Sequence, residues 1–472
     1  MRKAPKYRFQ LREGSTAYIP LRVISLRSEL SNTIPRSTYL THGIHPYYPA
    51  KFIPQVPQYV IRKYLRGARN TILDPFAGSA TTAVEAVLTG NQCIASDINP
   101  LTVFLCRAKL PEGDREFAFQ LQGEVEGFLR RLNSSDLTWA PRWNNVGYWF
   151  PEEVWEPLTR LWGPIQVLKP SVLKDLLMVS ALAATRAVSF ADDRVPKLFR
   201  SKFKKAKIEA LIPTLKRDRD FVFRIFREFV WKHLKMMQAF LLADHREFVH
   251  LTEPRAFSVD ASGPLQILSL SAPVRELRNL LRSSAGDSEF INAIITSPPY
   301  LYAQEYFRST KLDLFWLALA DEIQVKQLTR QEIGQRVSPI DGEGRAEPLL
   351  QCKAFQRFSE NLAQGAGDQK WKDYQRNLTM IEGYFRDMAE AFADLTHLLR
   401  PKGIFGIFVG EPKVLGHQSP IHQIFLEILD GLGYDILECC FDEIKSRNLF
   451  KGRQNLNPEG MRGEWLIIAS KK

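Results

Sequence analysis

Ser297-Pro298-Pro299-Tyr300 follows a short apolar run, Ile291 to Thr296. A fully buried strand ends in this way at a functional edge. Two successive prolines fix φ and remove two backbone donors, so the carbonyl oxygens there can only accept hydrogen bonds, in a stiff geometry. Such acceptors suit an amine. The exocyclic amine of an aromatic base is a poor nucleophile because its lone pair is delocalised into the ring. Acceptors for both amine hydrogens, here the Ser297 side chain and the Pro298 carbonyl, favour a tetrahedral nitrogen with a directed lone pair. Tyr300 offers a face on which the base can stack, and a base must leave its duplex to reach such a slot. Prolines at strand ends are also common turn punctuation, so the tetrapeptide gains weight only beside a second constellation.

That constellation is Asp74-Pro-Phe-Ala-Gly-Ser-Ala-Thr-Thr82, where Gly78 lets the backbone turn tightly and approach a ligand while the following helix N-terminus offers unpaired N–H groups. Asp97 lies 19 residues after Gly78, at the tip of the next expected strand. A carboxylate there can accept hydrogen bonds from both hydroxyls of a ribose. No lysine follows the glycine, so the loop is not a phosphate-gripping P-loop. By itself it also reads as an ordinary strand-to-helix turn.

DPFAGSATT followed by SDINP resembles motifs I and II of S-adenosylmethionine-dependent methyltransferases, particularly the DNA amino-methyltransferases. Their usual loop reads DPFxGSGTT; Ala80 stands where the second glycine is expected. Upstream, HPYYPAKFIPQVP resembles motif X, which covers the methionine end of the cofactor, although a proline-rich lead-in to the sheet would read the same. TSPPY resembles motif IV, and serine in its first position is the form most associated with cytosine N4, asparagine or aspartate with adenine N6. AQEYFRSTKLDLFWL, Ala303 to Leu317, resembles the segment after motif IV in that family, with Glu305 where aspartate is more usual. With PKGIFGIFVG and the C-terminal apolar runs, the resemblance covers roughly residues 42 to 108 and 286 to 472.

The resemblance implies S-adenosylmethionine as cofactor, held by Asp74, Phe76, Ala77, Gly78, Ser79, Asp97 and Ile98, with Lys51 and Phe52 from motif X. It implies catalysis by Ser297, Pro298, Pro299 and Tyr300, and direct methyl transfer to N4 of a flipped cytosine in double-stranded DNA. Adenine N6, an RNA substrate, and a catalytically inactive DNA-binding protein are the alternatives. A cognate restriction endonuclease is a candidate partner. Asp260 resembles a motif III residue at the adenine, or belongs to a surface turn.

Carbon-5 cytosine methylation needs a cysteine nucleophile, usually after proline, and no Pro-Cys dipeptide occurs. The five cysteines form no CxxC pair and no HExxH is present, so neither a disulfide framework nor a metal is expected, and a reducing, cytoplasmic setting fits. The N-terminal residues lack an apolar core and no apolar run reaches about 18 residues, so neither export nor a membrane span is expected.

The elements that must position these residues are those of an α/β fold. Strand Thr71 to Leu73, the loop, helix Thr81 to Leu88 and strand Gln92 to Ser96 make a parallel unit with right-handed crossovers. The chain resumes the sheet at Ile291 to Thr296 and Ile404 to Val409, with Val249 to Asp260 an uncertain strand. Helices are expected over Tyr384 to Leu399 and Ile421 to Leu432, capped near Gly433, and strands over Tyr434 to Phe441 and Trp465 to Ser470, paired at the sheet edge. The expected architecture is a Rossmann-like class I methyltransferase sheet with an inserted, mainly helical basic domain. Its divisions are a basic arm, 1–40; a first catalytic part, 41–109; the insertion, 110–245; and a second catalytic part, 246–472, carrying a mobile loop at 334–367.

With 472 residues, 45% hydrophobic and 25% charged, the composition excludes global disorder and collagen-like structure. Net charge is 64 − 52 = +12, and from Arg186 to Arg246 there are 16 basic and 7 acidic residues, 16 − 7 = +9. Clustering of this kind favours a polyanion-binding face over general solubility, although charge runs are often only solvated helix faces. Arg200, Lys204, Lys205 and Arg217 are the candidate DNA contacts, with Lys216, Arg224 and Arg227 on the same helical stretch. The aromatic cluster Trp143, Tyr148, Trp149, Phe150, Trp155 and Trp162 reads as core rather than as a stacking platform.

Overall fold

A computed structural model describes the chain except residues 1–20, 27–29, 31–35, 50, 68, 193–197, 219, 244–248, 253–264, 286–288, 302–305, 335–346, 365–370, 444–460 and 462. Asp260 and Glu305 lie outside the described residues. The strands are β1 (Leu21–Ile24), β2 (Thr71–Asp74), β3 (Gln92–Asp97), β4 (Val249–Thr252), β5 (Leu265–Ser271), β6 (Ile291–Thr296) and β7 (Leu399–Gly410). A small pair, β8 (Lys413–Val414) with β9 (His417–Gln418), precedes β10 (Tyr434–Glu443) and β11 (Gly463–Lys471).

Nine strands form one sheet in the order β1-β10-β11-β7-β6-β2-β3-β5-β4. Every neighbouring pair is parallel except the two made by β11, which runs antiparallel to β10 and to β7. This is a Rossmann-like, mostly parallel α/β sheet. The chain leaves β2 toward β3 on one side and later returns to place β6 on the other. The carboxyl ends of β2 and β6 therefore flank a topological switch point, where open α/β sheets bind ligands.

The apolar runs are continuous because both faces of the sheet are covered. Leu73, Ile94, Ile294 and Phe405 face a core built with helices Val274–Ala285, Trp371–Thr396 and Ile421–Gly431. Their neighbours Ile72, Cys93, Ala95, Ala293 and Ile295 face the opposite core, under helices Gln55–Tyr64 and Thr81–Leu88. Gly433, at φ 88°, ends the Ile421–Gly431 helix in the left-handed conformation that glycine adopts freely.

The segment after Lys109 is helical, with major helices Arg115–Leu132, Trp155–Gln166, Val172–Ala187, Lys202–Arg217 and Phe221–Leu241. Its core is continuous with residues of the Leu101–Lys109 and Tyr306–Trp316 helices. Trp162 stacks on Trp316 at 5.4 Å, and Trp143 and Phe150 are buried with them, as the core reading expects. Tyr148 is instead exposed.

Three expectations are corrected, and one strand was not expected. The expected mobile loop at 334–367 holds helices Glu347–Leu350 and Lys353–Gln364, which bury Leu349, Cys352, Phe358 and Leu362 with helices Trp371–Thr396 and Ile421–Gly431; its polar composition masked an amphipathic face. The expected N-terminal arm contributes β1, paired in parallel with β10. The β10–β11 pair therefore does not form the sheet edge, which β1 takes. Strand β5 was missed, since QILSLS alternates too weakly to announce itself. Among the described residues no helix is long and apolar enough to cross a membrane.

Candidate cofactor and substrate cleft

One cleft opens at the carboxyl ends of β2, β3, β5 and β6, with an empty volume, mouth included, of about 860 Å³. Gly78, Asp97, Ala272 and Ser297 bring one residue from beyond each of these strands, or from its tip, into the wall. Eight of the nine expected cofactor residues line it: Lys51, Phe52, Phe76, Ala77, Gly78, Ser79, Asp97 and Ile98. The two distant constellations thus face a single space.

The loop between β2 and its helix is clamped from several sides. Gly78 donates its N–H to Asp97 Oδ2 at 2.9 Å, and Asn99 donates to Oδ1 at 2.9 Å. Thr102 Oγ1 donates to the Gly78 carbonyl at 2.8 Å, and the fully buried Lys109 Nζ donates to the Ser79 carbonyl at 2.6 Å. Ala77 N–H bonds the Ser96 carbonyl at 2.9 Å. Gly78 sits at φ 48°, and a Cβ built there would meet Tyr48 Cε1 at 2.9 Å, so only glycine meets both demands. Burial pushes the Asp97 carboxyl up to about 6, against the pull of the two backbone donors.

Asp74 is the exception among the nine. It is buried beneath the loop and does not line the cleft. Its Oδ1 accepts from Thr296 Oγ1 at 2.6 Å and from Phe76 N–H at 3.2 Å, and its Oδ2 accepts from Thr82 Oγ1 at 2.6 Å. The expectation that Asp74 contacts the cofactor is corrected: it welds the first loop to the end of β6. Burial raises its carboxyl to about 6, with the threonine hydroxyls pulling the other way.

Ala80 takes φ 62° and ψ 30°, the conformation a second glycine would supply, and its methyl is fully buried in the core beside Ala83 and Val84. It is not part of the cleft wall. The methyl therefore does not occupy ligand space.

Ser297 and Pro299 line the cleft; Pro298 is buried and Tyr300 is partly buried outside the wall. Tyr300 Oη donates to Glu464 Oε1 at 2.8 Å. Lys51 Nζ bonds the His42 carbonyl, and burial lowers its ammonium to about 8. Sequence reasoning missed Tyr48, Tyr306, Phe307 and Glu332 in the wall, where Glu332 Oε1 accepts the Phe307 N–H at 2.9 Å. Tyr48 stands inside the quoted HPYYPAKF stretch, so its signal was present; nothing local marks Glu332.

The candidate DNA contacts divide. Lys204 is only 4% exposed, which corrects its assignment as a phosphate contact. The Arg200 guanidinium lies over Phe190 and Tyr148 at 4.8 and 4.9 Å. Lys205 pairs with Glu209 at 3.3 Å, while Arg217 is exposed at the end of its helix together with Lys216. Lys202 and Lys207 are also exposed on that helix.

A strand-tip carboxylate, an apolar wall of Ile98, Ala272 and Val274, and a glycine turn that admits close approach fit a nucleoside carrying an amino-acid arm. The chain is similar to the type II methyltransferase M.MvaI of Kocuria varians, 24% identical over 376 residues that cover 77% of this chain and 75% of that protein. It is similar to the type II methyltransferase M.BsoBI of Geobacillus stearothermophilus, 22% identical with 82% and 77% covered. A 100-residue stretch is 40% identical to the type II methyltransferase M.MjaII of Methanocaldococcus jannaschii, covering 20% and 18%. The rRNA methyltransferase aviRa from Streptomyces viridochromogenes, at 11% identity and a TM-score of 0.29 over 90% of this chain and 87% of that one, is too distant to carry an argument. No family model matches. The fold is a Rossmann-like α/β sheet, parallel except at β11.

Proposed function

We propose that this chain is a DNA methyltransferase that methylates the exocyclic N4 amine of a cytosine taken out of duplex DNA. The observation that carries this reading is the shared cleft: Ser297 and Pro299 line the same space as Gly78 and Asp97. Similarity to type II methyltransferases over most of the chain supports DNA as the substrate. Serine at the head of the proline pair supports cytosine N4 over adenine N6.

When bound, S-adenosylmethionine supplies an electrophilic methyl on a sulfonium. In this reading Asp97 accepts from ribose hydroxyls, Ile98, Ala272 and Val274 wall the adenine, and the Phe76–Ser79 turn approaches the amino-acid arm. Ser297 Oγ and the Pro298 carbonyl accept the two amine hydrogens, which rehybridises the nitrogen and aims its lone pair. Tyr300 offers its ring face to the flipped base. All five cysteines are buried and none lines the cleft, so direct attack by the amine, without an enzyme thiolate, is the route these residues support. The exposed Lys202, Lys207, Lys216 and Arg217 offer phosphate contacts, which position the duplex without reading its sequence. A restriction endonuclease of matching specificity is the proposed partner.

Tritiated cofactor incubated with DNA free of methylated bases, followed by digestion to nucleosides, tests the assignment. Label in N4-methyldeoxycytidine is expected. Label confined to N6-methyladenine would transfer the reading to the adenine alternative, and transfer to structured RNA but not DNA would overturn the substrate.

A further inference from the structure

At the carboxyl end of β7, Gly410 leaves room for the Tyr300 ring: a Cβ there would come within 2.8 Å of Tyr300 Cε2. Across the ladder Gly410 pairs with Glu464 of β11. Glu464 Oε1 accepts the Tyr300 hydroxyl at 2.8 Å, a contact spanning 164 residues of sequence. Tyr384, from helix Trp371–Thr396, donates its hydroxyl to the Pro299 carbonyl at 2.9 Å. The tetrapeptide is therefore held from outside by two elements that no local pattern connects with it.

We propose that Glu464 is a positioning residue for the target base, acting through Tyr300. A tyrosine ring has two side-chain torsions, and a hydrogen bond at its far end restrains both. The missing side chain at Gly410 sets the depth of the ring, and the Glu464 carboxylate sets its tilt. Hydrogen bonds to an ionised acceptor are shorter and roughly twice as strong as neutral ones, so a carboxylate is well suited to the task. The consequence is a fixed ring next to Ser297 and Pro299, which line the cleft, so that the amine arrives at Ser297 without a search over ring orientations. This inference rests on the reading that Tyr300 faces the target base.

The test compares full-length wild type with Glu464→Gln, Glu464→Ala, Tyr300→Phe and the Tyr300→Phe/Glu464→Ala pair. Steady-state methylation of bulk unmethylated DNA is measured beside cofactor affinity by calorimetry. Glutamine keeps the acceptor, so E464Q is expected within about threefold of wild type in kcat/KM. E464A and Y300F are each expected to lose roughly tenfold to a hundredfold, as misplacement of reacting groups does. Because both remove one contact, the double variant is expected to be no worse than Y300F alone. Cofactor affinity and thermal midpoint of Y300F and E464Q are expected to stay at wild-type values. E464A at wild-type activity, E464Q as impaired as E464A, or additive losses in the pair would overturn the positioning role. Wild type inactive on DNA would instead overturn the functional reading and this inference with it.

Discussion

Thr296, the last residue of β6, donates its hydroxyl hydrogen to Asp74, the last residue of β2, at 2.6 Å inside the protein. Just beyond each strand end stands a wall of the cleft, Ser297 after β6 and, past Pro75, Phe76 after β2. Thr82 closes the triangle, donating to Asp74 Oδ2 and lying 3.3 Å from the Ile295 carbonyl. Two segments separated by 222 residues are thereby fixed to each other through one buried carboxylate.

Thr296→Val removes that donor while keeping the shape. Stability is expected to fall by about 1–3 kcal/mol, the usual cost when a buried charged acceptor loses a partner. Cofactor affinity and turnover should decline together, because both walls shift. Chemical denaturation and calorimetry on the same preparation check this; loss of turnover with unchanged stability would contradict the joint.

The carboxyls of Asp74 and Asp97 are both raised by burial to about 6 from an ordinary 3.8. Raised values mean that their contribution to stability is fully present below about 3.8 and is lost as pH climbs through about 6. In the proposed reading cofactor binding has the opposite slope, since only an ionised Asp97 would accept from both ribose hydroxyls. With a carboxyl titrating at about 6, affinity is expected to fall roughly tenfold from pH 7 to pH 5. Calorimetric titrations across that range measure it, and Asp97→Asn should weaken binding and flatten the profile; affinity independent of pH would remove Asp97 from the ribose.

Ala80 holds a left-handed backbone at φ 62° with its methyl in the core. Replacing it with glycine relieves about 1–2 kcal/mol of backbone cost. The same change forfeits about 0.8 kcal/mol of methyl burial and about 0.4–1 kcal/mol through the unfolded chain. The terms nearly cancel, which explains how alanine is tolerated there. Ala80→Gly is expected to leave stability within about 1 kcal/mol and cofactor affinity within about threefold. A large gain in affinity would mean that the methyl obstructs the ligand after all.

For the basic helix, the exposed residues Lys202, Lys207 and Arg217 separate from the buried Lys204. Replacing the three exposed cations with glutamine should weaken DNA binding at every sequence alike and reduce the slope of log affinity against log salt by up to about 2.7, at about 0.9 per phosphate contact. Filter binding at several salt concentrations reads the slope. An unchanged slope would assign those charges to a solvated helix face.

Much of this was legible in the chain because the informative segments are short and locally determined. The Thr81–Leu88 helix, its stop at Gly90 and the Ile291–Thr296 strand follow from apolar periodicity and glycine placement alone. Eight of the nine residues expected at a cofactor reach the cleft because they belong to contiguous loops that β2, β3 and the 45–57 stretch carry there as units. The parts that were not legible depend on side-chain direction or on distant partners. Asp74 points down to Thr296, Lys204 turns inward, and Tyr300 is held by Glu464, none of which any local pattern encodes. The helices within 334–367 were hidden because glycine and charge outweighed the spacing of Phe358 and Leu362.

The most direct measurement is a pair of constants on Ser297→Ala: cofactor affinity by calorimetry, and turnover on DNA with labelled cofactor. Ser297 lines the cleft, and in the proposed reading its hydroxyl is assigned to the amine rather than to the cofactor. The prediction is turnover lowered by about a hundredfold, as for a lost transition-state contact, with affinity within about twofold of wild type. Equal loss of both constants, or of neither, would contradict the role given to Ser297.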